Sequence, residues 1–104
     1  MFVFDRDLAP YLDRAIAAEL SGELTDAGLN VIDLAKPSGL QKDKLYRILS
    51  ARRSCTVVEL MKICAAIPVD PYELLRSATT RAERIRRTTI ERAEEAEGQM
   101  SEVF

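Results

Sequence analysis

Histidine is absent from this 104-residue chain. That absence removes the commonest general base, the Ser-His-Asp form of nucleophile activation and the usual nitrogen ligand for a metal. The two cysteines, Cys55 and Cys64, stand nine residues apart with no CxxC spacing. Without histidine they fall short of the four soft or nitrogen ligands that a structural zinc needs. They read as reduced thiols of the fourth helix, buried as small core residues. No apolar run approaches the ~20 residues of a membrane span. Nor is a cleavable signal peptide visible, because the apolar start Met1-Phe2-Val3-Phe4 is short and Asp5 follows at once. These absences predict a cytosolic protein with no cofactor, metal, enzymatic activity or membrane contact. Glycine and proline are scarce, four of each, which disfavours a loop-rich or strand-rich chain.

What is present favours helices. Alanine, leucine, arginine and glutamate dominate, and 47% apolar content is enough for a real core. Leu8, Leu12, Ile16, Leu20 and Leu24 recur every four residues, one face of a first helix that Asp7 would cap. Ser21-Gly22 is a weak point within it, and Asp26-Ala27-Gly28 ends it. Asn30 caps a second helix, with Asp33 in its first turn and Pro37 near its end. A third helix covers 41–50, and 51–55 is a loop. Thr56 and Glu59 have the spacing of a capping box for a fourth helix, whose inner face reads as Val57, Leu60, Ile63, Cys64 and Ile67. Asp70, Pro71 and Glu73 start a fifth helix the same way, and Leu74 and Leu75 would close the core. The fold class is all-α, a bundle of about five helices, with residues 1–75 as the domain and 76–104 as a helical extension.

Residues 31–49 are the most informative stretch. They form two short helices hinged at Gly39, where a tight turn between steeply crossing helices needs positive φ. Ala35 is small enough to let those helices approach. Leu45 and Ile48 point inward, which leaves Gln41, Lys42, Asp43, Lys44, Tyr46 and Arg47 outside. A buried back and an outer face of long hydrogen-bonding side chains suit a helix that enters the major groove of DNA. The net charge is only −2, but its distribution is uneven. Residues 1–27 hold two positive and six negative side chains, whereas 41–54 hold five positive ones against Asp43 alone. That local excess is a footprint for phosphates.

From 28 to 75 the chain resembles the phage repressor/Cro-like (XRE-type) helix-turn-helix family. The resemblance runs through GLNVIDLAKPSGL, the loop ARRSC, ELMKICAAI and the closing VDPYELL. It implies a bundle of the lambda-repressor-like type. It also implies base reading by Gln41, Lys42, Asp43, Tyr46 and Arg47, and contact with the sugar–phosphate backbone by Asn30, Val31, Lys44, Arg52, Arg53 and Ser54. Val31 stands where the family commonly has glutamine, Ala51 where it has glycine, and Gln41 where it has a serine or threonine cap.

Each assignment has a plainer counterpart. Arg47 reads guanine or pairs with Asp43 one turn earlier. Asp43 accepts from cytosine N4 or merely holds Lys42 or Arg47 in place. Tyr46 touches DNA or covers the bundle edge, and Arg52 and Arg53 neutralise phosphates or sit in a solvated loop. One helix supplies few contacts, so a homodimer on double-stranded DNA is expected. Ala78, Ala82, Ile85, Thr89, Ala93, Ala96 and Met100 form a stripe along the last helix. That helix has a basic first half and an acidic second half, suited to antiparallel pairing with a second copy or to a protein partner. Otherwise it is a solvated tail. The sequence therefore predicts a Cro/repressor-like transcription regulator that binds an operator. The rivals are the antitoxin of a toxin–antitoxin pair and a protein-interaction module that has lost DNA binding. Eleven arginines against four lysines is the bias of a GC-rich bacterial or phage genome.

Overall fold

A short 3-10 turn at Arg6–Leu8 leads into five α-helices: α1 (Ala9–Asp26), α2 (Val31–Ser38), α3 (Lys42–Leu49), α4 (Val57–Ala66) and α5 (Pro71–Val103). This computed structural model describes residues 6–103, with side chains as far as residue 96. Among the described residues there is no strand, and no helix is long and apolar enough to cross a membrane. The all-α bundle with a long final helix is as the sequence predicts.

Two apolar clusters hold the bundle. The larger gathers Leu20, Leu24, Leu34, Leu40, Leu45, Ile48, Leu60, Ile63, Cys64, Ile67 and Leu74, drawing on all five helices. Ala35 packs at its edge, where α2 meets α3. The smaller joins α1 to α5 through Leu8, Ala15, Ala78 and Ala82. Alanine on both sides lets these helix axes come close, and the Glu19–Arg81 bridge at 2.8 Å ties the same pair at the surface.

The helix starts follow their local chemistry. Asn30 Oδ1 accepts from the Asp33 N–H while Asp33 Oδ2 accepts from the Asn30 N–H, both at 3.0 Å. Thr56 and Glu59 form the same reciprocal box at α4. Asp70 Oδ1 accepts from the Tyr72 N–H, which caps α5 at its second amide. Gly39 ends α2 at φ 70°, and its N–H donates to Ala35 and Lys36 carbonyls. Ser38, itself buried, donates to the Ala35 carbonyl and accepts from the Leu40 N–H, which fixes the turn into α3.

Several expectations are corrected. Asp7 does not cap the first helix: it lies in the 3-10 turn, and Leu8 occupies the cap position without a side-chain bond. Burial of Leu8 in the smaller cluster sets that geometry, and Pro10 removes one of the amides a cap would serve. Val57 is 76% exposed rather than on the inner face of α4. That face centres on Ile63, and Val57 lies about 120° from it at ~100° per residue. Leu75 is 39% exposed, because Leu74 takes the inward position beside it. Cys55 is half-buried in the loop before α4, and only Cys64 is fully buried. The first part of the proposed tail stripe is already occupied: Ala78 and Ala82 are buried against α1, with Ile85 packed beside them. The side chain of Met100 and residues 1–5 lie outside the described residues.

Candidate nucleic-acid interface

Helix α3 is amphipathic in the sense that matters for a groove. Leu45 and Ile48 are buried, while Gln41, Lys42, Asp43, Tyr46 and Arg47 are all exposed. Lys42, Asp43, Tyr46 and Arg47 share the outer side of the helix, and Gln41 stands exposed at its start. No ion pair joins Arg47 to Asp43 among the described residues, so the guanidinium keeps its donors free for another acceptor. Tyr46 and Arg47 line a shallow notch with Ser50 and Arg52 just beyond the helix.

The end of α3 directs the basic loop. Ala51 N–H donates to the Ile48 carbonyl and Arg52 N–H to the Arg47 carbonyl, the paired bonds of a Schellman ending. This motif requires a left-handed residue, and Ala51 adopts φ 60°. Its Cβ makes that conformation cost about 1 kcal/mol relative to glycine. The departure from the family's glycine is therefore absorbed as strain, with the turn retained.

The residues expected at the sugar–phosphate backbone are mostly tied into the fold. Glu59 is the hub: Arg53 Nη1 donates to its Oε2 at 2.8 Å, and Lys44 Nζ lies 3.5 Å from the same oxygen. Its other oxygen is held in the capping box. The Arg53 bond, then the Thr56 amide, hold its carboxyl down at about 2, against an ordinary 4.5. One buried carboxylate thus fixes a lysine of α3 and an arginine of the following loop. Both cations stay roughly two-fifths exposed, with their outer sides open.

Ser54 donates to Asp13 Oδ2 at 2.7 Å, which anchors the loop to α1. Asn30 is exposed but its carbonyl oxygen is engaged as a cap. Val31 packs against the larger cluster. Arg52 is exposed. The structure thus brings Lys44, Arg52 and Arg53 to the flank of the outer face of α3, and uses Val31 for packing.

Sequence reasoning saw Glu59 only as a helix cap. Its further bonds to Lys44 and Arg53 join residues 15 and six positions away, the former beyond any local rule. The anchor at Asp13, 41 residues from Ser54, had no sequence signal. Both thiols are raised to about 11, chiefly by burial, so neither is a reactive nucleophile at neutral pH. Among the described residues no group of histidine, cysteine, aspartate or glutamate side chains could hold a metal ion.

Comparison with known proteins agrees with this geometry. Two crystal structures of the clp gene regulator ClgR from Corynebacterium glutamicum share the fold. One aligns at TM-score 0.71 with 21% identity, over 83% of this chain and 93% of that one. The other aligns at TM-score 0.63 with 23% identity, over 66% and 90%. No curated protein sequence matches the chain. The sequence pattern of the Cro/C1-type HTH DNA-binding domain matches residues 19–80, more than half of the chain and every helix of the site just described. The chain belongs to that family of helix-turn-helix DNA-binding domains.

Proposed function

We propose that this protein is a sequence-specific transcription regulator of the Cro/repressor kind, which occupies an operator as a homodimer with α3 in the major groove. The observation that carries this reading is the open face of α3: Gln41, Lys42, Asp43, Tyr46 and Arg47 exposed above a buried Leu45 and Ile48. Arg47 can give guanine O6 and N7 two parallel bonds, a pair that discriminates against other bases by ~1–3 kcal/mol. Gln41 and Lys42, at the helix start, suit neighbouring base edges. Lys44, Arg52 and Arg53 neutralise flanking phosphates with the sides that Glu59 leaves open.

One copy of α3 spans too few base pairs for tight specific binding. Two copies related by a two-fold axis would read inverted half-sites about one helical turn apart. This role places the protein with the nucleoid in the cytoplasm.

The test is selection of bound duplexes from a random DNA library, followed by affinity as a function of salt. The expected product is an inverted repeat, with affinity falling roughly 10³-fold between 50 and 200 mM salt for about six phosphate contacts. Recovery of no sequence, together with a flat salt response, would favour the protein-interaction module instead. Co-purification with a small neighbouring protein that occupies the last helix would favour the antitoxin.

A further inference from the structure

Beside the candidate interface lies a second, open cleft of about 460 Å³, where the end of α3 meets α1 and α5. Short side chains line much of it, those of Ala17, Ala18, Ser50 and Ala51, and its charged residues are Arg14 of α1 and Arg81 of α5. Ser50 lines both this cleft and the notch of Tyr46, Arg47 and Arg52, so the two adjoin at the end of α3. Both arginines stand outside residues 19–80, the span of the family pattern.

The chemistry of the cleft is that of an anion track. Among the described residues no carboxylate lines it, and no ion pair engages the exposed Arg14. Arg81 is held instead: its Nε donates to Glu19 Oε1 at 2.8 Å, which fixes the guanidinium while 39% of the side chain stays exposed. Arg84, also exposed, follows one turn later on α5. A cleft with charge of one sign between low-dielectric walls concentrates counter-ions. Arg47 and Arg52 carry the same sign on the adjoining notch. The polyanion that the reading above sets on α3 continues past Ser50 as a row of phosphates, and the short side chains let its backbone approach.

We propose that Arg14 and Arg81 hold phosphates of the DNA backbone beyond the bases that α3 reads. The inference rests on the operator reading above and extends its contact surface onto α1 and α5. These contacts carry no base preference; they add affinity and fix the position of the domain along the duplex.

The test is the affinity of wild type, Arg14→Ala and Arg14→Lys for a selected duplex across salt concentration, measured by fluorescence anisotropy. In Arg14→Ala the slope of log affinity against log salt becomes shallower by about 1, the share of one phosphate. Arg14→Lys keeps most of the wild-type slope, because the charge remains. Arg14→Ala/Arg81→Ala loses about one more, read beside urea unfolding because the Glu19 bridge is lost as well. The preference of Arg14→Ala for the selected duplex over one altered at a guanine stays as in wild type. Single phosphates just outside the bases read by α3 are then replaced by uncharged methylphosphonates. At least one replacement weakens wild type several-fold and leaves Arg14→Ala unaffected. An Arg14→Ala slope equal to wild type, or no replacement whose effect disappears in the variant, overturns the proposal and leaves groove reading by α3 standing if the guanine preference persists. A wild type that binds no duplex overturns both.

Discussion

The α2–α4 unit and the α1–α5 pair are built on different terms. In α2–α4 the starts of α2 and α4 and the turn into α3 are fixed by named polar bonds: the Asn30–Asp33 and Thr56–Glu59 boxes and the Ser38 turn, with Glu59 also holding Lys44 and Arg53. In α1–α5 the contact is apolar packing around Ala15, Ala78 and Ala82, with the Glu19–Arg81 bridge at its surface. The first arrangement holds the outer face of α3 and the loop after it in a defined orientation through directional bonds. The second relies mainly on non-directional packing, and leaves Tyr72 and Ile90 of α5 exposed. Precision is concentrated where base edges would be read.

This contrast can be broken at several points, and the largest effect belongs to the shared core. Leu45 is fully buried beneath the outer face of α3. Leu45→Ala is expected to cost about 3–4 kcal/mol in urea unfolding and to loosen α3 from its support. A loss below about 1 kcal/mol would mean that α3 is not seated as described.

Next in size is Glu59→Ala, expected to cost about 2 kcal/mol through the lost cap and the lost charged hydrogen bonds. It should also weaken DNA binding, because Lys44 and Arg53 lose their common anchor. Glu19→Ala, at the half-exposed bridge of the other region, is expected to cost under about 1 kcal/mol. The pH dependence has a defined sign. The carboxyl of Glu59 is depressed in the folded protein, so the unfolded chain binds its proton first as pH falls. The stability it contributes is complete above about 4.5 and is lost as pH falls toward about 2. Urea unfolding of wild type and Glu59→Gln should therefore converge across that window.

Close helix approach in α1–α5 is tested by Ala82→Leu, expected to destabilise by about 1–2 kcal/mol through overpacking. The same change at exposed Ala93 should be nearly neutral. The smallest effect is a gain: Ala51→Gly relieves the left-handed strain at φ 60° and should stabilise by about 1 kcal/mol.

Much of this was legible in the sequence because the signals are local. Asn30, Thr56, Gly39 and the Leu45–Ile48 spacing each act within a turn or two, and each formed as the residues dictate. The errors have a common origin. Val57 and Leu75 are apolar residues next to the inward direction, and only the packed neighbours decide which adjacent position wins. Asp7 lost its cap role to the tertiary demand for Leu8. Ala78 and Ala82 continue the spacing of the stripe beyond them, and nothing local marks them as packed, because their partner, Ala15, is more than 60 residues earlier. At the candidate interface the exposed face of α3 follows from periodicity. The network that ties Lys44, Arg53 and Ser54 comes from long-range contacts that no pattern announces.

The most direct measurement is the affinity of wild type and Arg47→Ala for a selected duplex and for the same duplex altered at one guanine of each half-site. Wild type should lose ~1–3 kcal/mol per altered guanine, and Arg47→Ala should bind both duplexes more weakly and almost equally. Arg52→Ala, by contrast, should weaken both duplexes alike and preserve the preference. If Arg47→Ala keeps the full wild-type preference for every guanine of the site, the outer face of α3 does not read DNA through this residue, and the account fails at its centre.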